Sequence, residues 1–246
     1  MSEPYIEFLH VYKTFDRPVL VDVSFHVDPG ETLAIIGRSG VGKSVTLGHI
    51  MGFIKPDKGY IWVAGKETTN LSESEMRQIR KKVTMVFQSG ALFDSLTVAE
   101  NVEFSLETRD DYDEENKHEV VQGLLAMVEL EDYANSYPTD LSVGHKRAIA
   151  IARALAAQPD CILYDEPTTM VDPIMSDHLA ALMLRLKTQL KLTSVVVTHD
   201  LDLMRRVAEK VVILHEGHCI YFGPVADLGS SQHEHIKEFL AMDRVG

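Results

Sequence analysis

Eight consecutive residues form a glycine-rich turn of the kind that holds nucleotide phosphates. They fit the pattern G-x-x-x-x-G-K-[ST] without a mismatch and follow an apolar run at 32–36. Glycines let such a loop turn tightly and aim backbone N–H groups at an anion, and the following helix adds its positive N-terminal end. The lysine would reach the terminal phosphates and the serine would bind magnesium, whereas a chance match would lack this strand-loop-helix context. The phosphate loop comprises Gly37, Arg38, Ser39, Gly40, Val41, Gly42, Lys43 and Ser44.

Two adjacent carboxylates follow another apolar run. Asp165 and Glu166 come directly after residues 161–164, a pattern that indicates a buried strand. Parallel sheets bind ligands at the carboxyl ends of their strands. Asp165 could hold magnesium there, and Glu166 could orient or deprotonate an attacking water. Such a pair by itself is more often a helix start or a solvated turn, so its significance depends on the phosphate loop upstream.

The rest of the chain supplies the elements that must position these groups. Residues 89–157 have mostly helical patterns and indicate an inserted helical subdomain, in which an acidic run at 107–119 could be a docking face or, more commonly, a solvated segment. A short amphipathic helix is expected at 232–242. Strand patterns at 6–15 and 19–27 indicate an N-terminal antiparallel β subdomain, and those at 32–37, 83–87, 161–164, 194–198 and 211–214 indicate an α/β fold with a mainly parallel core sheet.

Composition excludes several classes of protein. Apolar residues make up 45% of the 246 residues, so neither a fibrous nor a disordered class fits. A net charge of -13 argues against nucleic acid as a partner. Cys161 and Cys219 indicate reduced thiols and a cytosolic compartment. The N-terminus lacks the pattern of a signal peptide and we expect no membrane-spanning segment, so action at a membrane would need a separate partner.

These motifs, taken in their order along the chain, resemble those of the ATP-binding subunit of an ATP-binding cassette (ABC) transporter. The resemblance covers nearly all of the chain. It implies a P-loop NTPase fold, a single nucleotide-binding domain over 1–246, and ATP and Mg²⁺ as cofactors. It also makes residues 37–44 the Walker A loop, Asp165 the Walker B aspartate and Glu166 the catalytic glutamate.

Four further roles follow from the resemblance. Phe15 looks like the aromatic that stacks on adenine, although an ordinary core aromatic is an equal alternative. Gln88 resembles the Q-loop glutamine, which contacts magnesium and senses the membrane partner, although it could simply cap a strand. Asp172 falls in the D-loop. His199 follows the apolar run at 194–198 and matches the switch histidine that hydrogen-bonds the γ-phosphate, whereas a lone histidine would usually be a surface residue.

The segment at 141–145 takes the place of the family's L-S-G-G-Q signature but departs from it at Val143 and His145. Ser142 can cap the helix that begins here, and the Gly144 backbone adds to an anion site. In the family this segment binds the ATP held by the opposite subunit, so the resemblance implies two copies that sandwich two nucleotides head to tail. The two departures could alter turnover or its pH response. Val45, where threonine is usual, is expected to have little effect.

Two segments, 87–102 and 37–45, are similar to the ATPases that work with Mce-type substrate-binding proteins in bacterial lipid transport. This similarity implies an integral-membrane permease, an Mce-type partner and a cytoplasmic location on the inner face of the plasma (inner) membrane. The tail at about 224–246 is similar to one that can pack on the neighbouring copy. An apolar helix face at a chain end is equally often packed on its own core.

Three other functions remain open. A soluble ABC-type ATPase of DNA repair or ribosomes is one, although the single cassette, the acidic composition and the lack of a coiled-coil insertion argue against it. A transporter ATPase for another substrate, imported or exported, is the second. A non-hydrolysing regulatory subunit is the third, suggested by the altered signature but opposed by the intact Lys43, Asp165, Glu166 and His199.

Overall fold

A computed structural model describes residues 3–106 and 114–242. The acidic run predicted at 107–119 begins outside the described residues, so neither interpretation of it is tested.

The strands are β1 (Ile6–Thr14), β2 (Pro18–Val27), β3 (Thr32–Ile36), β4 (Lys58–Val63), β5 (Lys66–Glu67), β6 (Val83–Val86), β7 (Cys161–Asp165), β8 (Thr193–Thr198), β9 (Lys210–His215) and β10 (His218–Pro224). The helices are α1 (Lys43–Ile50), α2 (Glu73–Arg80), α3 (Val98–Leu106), α4 (Lys117–Met127), α5 (Val143–Ala156), α6 (Pro173–Leu190), α7 (Leu201–Val207) and α8 (Glu234–Met242).

The core sheet places the strand before the phosphate loop near its centre. Its strand order is β10-β9-β3-β8-β7-β6, and β3 pairs in parallel with both β8 and β9. Strand β7 pairs in parallel with β6 and β8, whereas β10 runs antiparallel to β9. Because the carboxyl ends of parallel strands share one edge of a sheet, β3, β6, β7 and β8 deliver residues 37, 88, 166 and 199 to that edge. The predicted fold class is confirmed.

Strand β3 is buried on both faces, and all of its residues except Thr32 are apolar. Leu33 and Ile35 pack in one core with α1 and the antiparallel sheet. Ala34 and Ile36 pack in another core with α7 and α8. The period-2 alternation of a strand thus divides its side chains between two cores, which fixes the strand that carries the phosphate loop.

The N-terminal sheet is antiparallel, as predicted, with the strand order β2-β1-β4-β5. Its inner face packs aromatic rings, with Phe8 and Phe25 stacked at 4.5 Å between ring centroids. Strand β1 ends at Thr14, one residue earlier than the predicted strand. Phe15 therefore lies in the turn between β1 and β2, where 53% of its surface is exposed, and it is not a core aromatic.

Helices α3, α4 and α5 lie in the range predicted for a helical subdomain. The most buried of them is α5, in which Ile149, Ile151 and Leu155 are almost completely enclosed. It packs against α3 and α4 on one side and against β6 on the other. Helix α5 thus connects the helical part of the molecule to the core sheet beside Gln88.

Helix α8 covers the chain's own core. Ile236 is completely buried in the cluster that contains Ile36 and Ile213, and Phe239 and Leu240 pack at its border. The helix begins at Glu234, two residues after the predicted start. Of the two interpretations of the C-terminal apolar face, the described chain therefore adopts the one in which it packs on itself.

Two predictions from composition can be compared with the structure. Cys161 and Cys219 are free thiols, as expected. Burial raises the pKa of the Cys161 thiol, which keeps it protonated and unreactive. Among the described residues, we find no helix with the length and apolar character needed to cross a bilayer.

Candidate active site

The phosphate loop turns sharply between β3 and α1, and its glycines allow this path. Gly42 has a φ of 109° and caps α1 in the left-handed region. A Cβ at Gly37 would lie 2.5 Å from the carbonyl oxygen of Leu214, so no larger residue fits there without displacing backbone. Lys43 folds back over the loop, and its Nζ donates to the carbonyl oxygens of Gly37 at 2.8 Å and Arg38 at 3.3 Å. The loop is therefore held in a closed turn by its own lysine.

Ser44 and Asp165 meet although 121 positions separate them in the chain. The Ser44 hydroxyl donates to Asp165 Oδ1 at 3.1 Å, which joins the start of α1 to the end of β7. Partial burial raises the pKa of Asp165, and the hydrogen bond from Ser44 opposes that rise. Gln88 lines the same cavity as Ser44. The hydroxyl, the carboxylate and the amide of these three residues are hard oxygen donors of the kind that Mg²⁺ prefers, so they fit the predicted ion.

Glu166 is the most constrained residue of the site. Its φ is 48°, a left-handed conformation that costs a non-glycine residue about 1–3 kcal/mol. Its Oε1 lies 3.4 Å from Nζ of Lys43, and its Oε2 lies 2.8 Å from Nδ1 of His199. The hydroxyl of Thr169 donates to the same Oε2 at 3.1 Å. The carboxylate is thus held from three sides, which suits a group that must meet a water molecule in one fixed orientation.

His199 follows β8 and is well exposed, with 61% of its side chain open to solvent. If Nδ1 carries the proton donated to Glu166, a neutral ring has only an acceptor at Nε2. A neutral ring can therefore donate to Glu166 or to a phosphate through only one nitrogen at a time.

A cavity of about 750 Å³ opens where these groups meet. Its size is ordinary for a small-molecule site. All three predicted catalytic residues line it, together with Val45 and most of the phosphate loop. The lining residues are Val19, Gly37, Arg38, Ser39, Gly40, Gly42, Lys43, Ser44, Val45, Gln88, Glu166, Thr169, His199 and Phe239.

Several predicted residues lie away from this cavity. Phe15 is outside its lining, and the ammonium of Lys13 lies 5.3 Å from the centre of its ring. Ser142 caps α5 by accepting from the backbone N–H of His145 at 3.2 Å, and Asp172 caps α6 by accepting from that of Met175 at 3.0 Å. These two caps adjoin each other, because a Cβ on Gly144 would lie only 2.1 Å from Met175 Cγ. Within one chain, the signature and D-loop residues therefore form a separate group.

Sequence reasoning did not find three residues of the cavity, Val19, Thr169 and Phe239. Thr169 stands three positions after Glu166, a spacing at which a side chain can return to the same turn, but threonine at such a position is too common to be a signal. Phe239 belongs to the apolar face of α8, which was predicted, yet no local pattern indicates that this face borders the phosphate loop. Its position depends on tertiary packing alone.

The parallel sheet, the phosphate loop and the paired carboxylates at one sheet edge define a P-loop nucleotide-binding domain. A profile of the family described as ABC transporter matches residues 20–169, more than half of the chain. The chain belongs to the ABC transporter family. The prediction of an ABC ATP-binding cassette is thereby confirmed.

Curated relatives support the same assignment. The chain is 36% identical over 253 residues to the methionine import ATP-binding protein MetN of Bifidobacterium longum, covering 98% of this chain and 62% of that protein. It is 38% identical over 244 residues to methionine import ATP-binding protein MetN 1 of Pseudomonas syringae, covering 97% of this chain and 73% of that protein. The chain thus spans about six tenths of the length of the first of these relatives.

Solved structures agree with the fold. A dimeric structure of MJ0796, described as a bacterial ABC transporter cassette, is 34% identical and superposes with a TM-score of 0.82 over 89% of this chain and 98% of that one. The cbiO1 protein of Clostridium perfringens, part of the ABC transporter complex cbiONQ, superposes with a TM-score of 0.86 over 99% of this chain and 98% of that one. At 24% identity, the second comparison shows the fold alone.

Proposed function

We propose that this chain is the ATP-hydrolysing subunit that powers a membrane transporter. The arrangement around Glu166 carries the proposal. A carboxylate held by Lys43, His199 and Thr169 lies at the edge of a cavity whose floor is a phosphate loop. Such a geometry fits phosphoryl transfer to water, in which catalysis consists mainly of positioning and charge stabilisation.

The proposed mechanism assigns each group a separate task. Backbone N–H groups of the phosphate loop and the N-terminus of α1 bind the phosphates of ATP. Lys43 exchanges its contacts with two loop carbonyls for the terminal phosphates, which also releases Glu166 from the lysine. Glu166 then accepts a proton from the attacking water, and His199 fixes the carboxylate. Ser44, Gln88 and Asp165 would hold Mg²⁺, which neutralises charge on the phosphates.

A second copy of the chain completes the site in this proposal. Ser142, Gly144 and Asp172 lie together at the starts of α5 and α6 but outside the cavity, so they can act on a nucleotide only if it belongs to another chain. MJ0796, the cassette compared above, is a dimer. Val143 and His145, which depart from the usual signature, would then face the partner's nucleotide. Phe15 remains a candidate for stacking on adenine, since its ring is exposed.

The remaining partners are also proposals. We infer that Gln88 and the helical subdomain transmit motion to an integral-membrane permease, which places the chain on the cytoplasmic face of the plasma (inner) membrane. Two cargo classes are candidates. The relatives compared above support import of a small solute such as methionine. The similarity of residues 87–102 to ATPases of lipid transport supports a lipid cargo, delivered by an Mce-type binding protein. The MetN relatives do not support this second class.

The test is to recover the partners with a stalled variant. Tagged Glu166→Gln protein, which should bind ATP without hydrolysing it, is used to capture partners from detergent-solubilised native membranes with ATP and Mg²⁺. Mass spectrometry then identifies what co-elutes. A polytopic permease supports the proposal, and an accompanying Mce-domain protein or small-solute binding protein distinguishes the two cargo classes.

Phosphate release by the recovered wild-type complex is measured in parallel. Glu166-dependent turnover is the expected result. Its absence in the presence of the permease would instead favour the regulatory subunit. Recovery of ribosomal or DNA-repair proteins without a permease would transfer the chain to the soluble class and leave only the ATPase chemistry.

A further inference from the structure

Two arginines of α5 donate to the backbone of the segment that carries Gln88. Nη1 of Arg147 donates to the carbonyl oxygen of Phe87 at 3.1 Å. Arg153 donates to the carbonyl oxygens of Ala91 at 2.6 Å and Gly90 at 3.0 Å. Three of the five carbonyls at 87–91 are therefore bound to one helix, on both sides of Gln88.

The segment at 87–91 requires this support. It follows the last residue of β6 and makes a tight turn, closed by the bond from the Gly90 N–H to the Phe87 carbonyl oxygen at 2.8 Å. Gly90 and Ala91 both have positive φ values, 77° and 48°, and the second is strained for a residue with a side chain. A charged donor that binds a carbonyl of such a turn stabilises it more than a neutral donor would.

Arg147 also interacts electrostatically with Asp165 of the predicted magnesium site. The residue is only 4% exposed, and its Nε has no hydrogen-bond partner among the described residues. Burial lowers its pKa, and the carboxylate of Asp165 is near enough to oppose that change. A buried cation with one unsatisfied donor is costly, and such groups are commonly retained at functional sites.

We propose that Arg147 and Arg153 are positioning residues that keep Gln88 beside the site where Ser44 and Asp165 would hold Mg²⁺. This inference rests on the proposed function, since it concerns the metal contact of Gln88. Because α5 begins at Val143, with Ser142 as its N-cap, a displacement of this helix by a nucleotide at its N-terminus would also displace Gln88. The arginines thereby link the signature segment to the metal site through a single rigid element.

The test measures the magnesium dependence of hydrolysis in the transporter complex. The variants are Arg147→Met, which keeps an apolar side chain of similar reach, Arg153→Met, and Arg147→Lys, which restores a cation. We expect each methionine variant to lower kcat about tenfold and to raise the Mg²⁺ concentration for half-maximal activity several-fold, since a misplaced catalytic group costs that much. Affinity for ATP without Mg²⁺, measured by calorimetry, should stay within about twofold of wild type. Arg147→Lys should recover part of the loss.

Arg185→Met is the matched control. Arg185 also donates to a backbone carbonyl, that of Met127 at 2.8 Å, and pairs with Glu129, but it lies on α6 away from the Gln88 segment. It should match wild type in kcat and in magnesium dependence. The melting temperature of every variant shows whether a loss of activity comes from a loss of stability. If Arg147→Met does not fold, Arg153→Met still tests the inference, because Arg153 is partly exposed and its replacement should disturb the core less.

A double variant gives the decisive comparison. If Arg147 acts through Gln88, then Gln88→Ala with Arg147→Met should be no slower than Gln88→Ala alone. Additive losses, or variants with a lower melting temperature but wild-type magnesium dependence, would overturn the inference and leave a structural role. If wild type itself shows no Glu166-dependent phosphate release, the proposed function fails and this inference fails with it. If wild type is active and the arginine variants match it, this inference alone fails.

Discussion

Lys43 shows how a single buried cation is satisfied before nucleotide binds. Only 8% of its side chain is exposed, and two loop carbonyls together with Glu166 surround its ammonium. A phosphate can replace the carbonyls, because it offers a stronger acceptor to the same donor. Lys43→Ala removes that donor, and we expect ATP affinity to fall at least about a hundredfold, the equivalent of one or two charged hydrogen bonds.

Calorimetry with MgATP measures this loss. Lys55→Ala is the control, since Lys55 also donates to a backbone carbonyl, that of Leu71 at 3.2 Å, but lies outside the cavity. Its affinity should equal that of wild type. An unchanged affinity in Lys43→Ala would mean that the loop is not the phosphate site.

At the scale of residues, the sequence predicted those site residues that directly follow a strand. Asp165, Glu166 and His199 each follow an apolar run directly, and the geometry of parallel sheets then brings them together. Thr169 and Phe239 contribute to the same cavity but leave no such signature. The second of them arrives from a helix 40 positions beyond His199, so only the folded chain reveals it.

Helix α1 contains a buried histidine that makes its packing sensitive to pH. His49 is 1% exposed, its Nδ1 lies 2.7 Å from the carbonyl oxygen of Val45, and its ring packs near that of Phe8. Its Nε2 has no partner among the described residues. Burial lowers the pKa of His49 below its ordinary value, because no group nearby stabilises the charged ring sufficiently.

The sign of the effect follows from proton linkage. Below the ordinary histidine pKa of about 6.5, the unfolded chain binds a proton that the folded chain still excludes. The stabilisation from a neutral His49 is therefore complete above that pKa and is lost as the pH falls below it. We expect the free energy of unfolding to decrease between pH 7.5 and pH 5.5, and His49→Gln to show a smaller decrease.

Urea denaturation at the two pH values measures this difference. His118→Gln is the control, because His118 is exposed on α4 and should leave the pH dependence of wild type unchanged. An equal decrease in wild type and His49→Gln would show that other groups cause the acid sensitivity.

At the scale of elements, the sequence predicted those strands and helices whose burial imposes a regular pattern of apolar residues. The strand at 32–36 is buried throughout because both faces are covered, and its run of four apolar residues identified it. The contact of α5 with the Gln88 segment joins residues about 60 positions apart, and no local period encodes it.

The whole molecule has an apolar surface that a single chain leaves uncovered. Val143, Met170 and Ile174 are 43%, 86% and 73% exposed, and they stand beside the caps of α5 and α6. Large apolar side chains exposed beside polar groups in this way are typical of an interface. They adjoin Ser142 and Asp172, which the proposed function assigns to the nucleotide of a second copy. We therefore expect this surface to be buried when ATP joins two chains.

Size-exclusion chromatography with light scattering tests this expectation in the Glu166→Gln background, where ATP is retained. With ATP and Mg²⁺ this variant should elute as a dimer, and without nucleotide as a monomer. Adding Ile174→Glu places an unpaired carboxylate in the interface, so dimerisation should need at least about tenfold more protein while ATP binding is unchanged. Leu190→Glu, at the opposite end of α6 and 42% exposed, serves as the control and should still form the dimer. A dimer that forms equally well with Ile174→Glu would place the interface elsewhere on the molecule, and a variant that stays monomeric with ATP bound would mean that the permease must bring the two copies together.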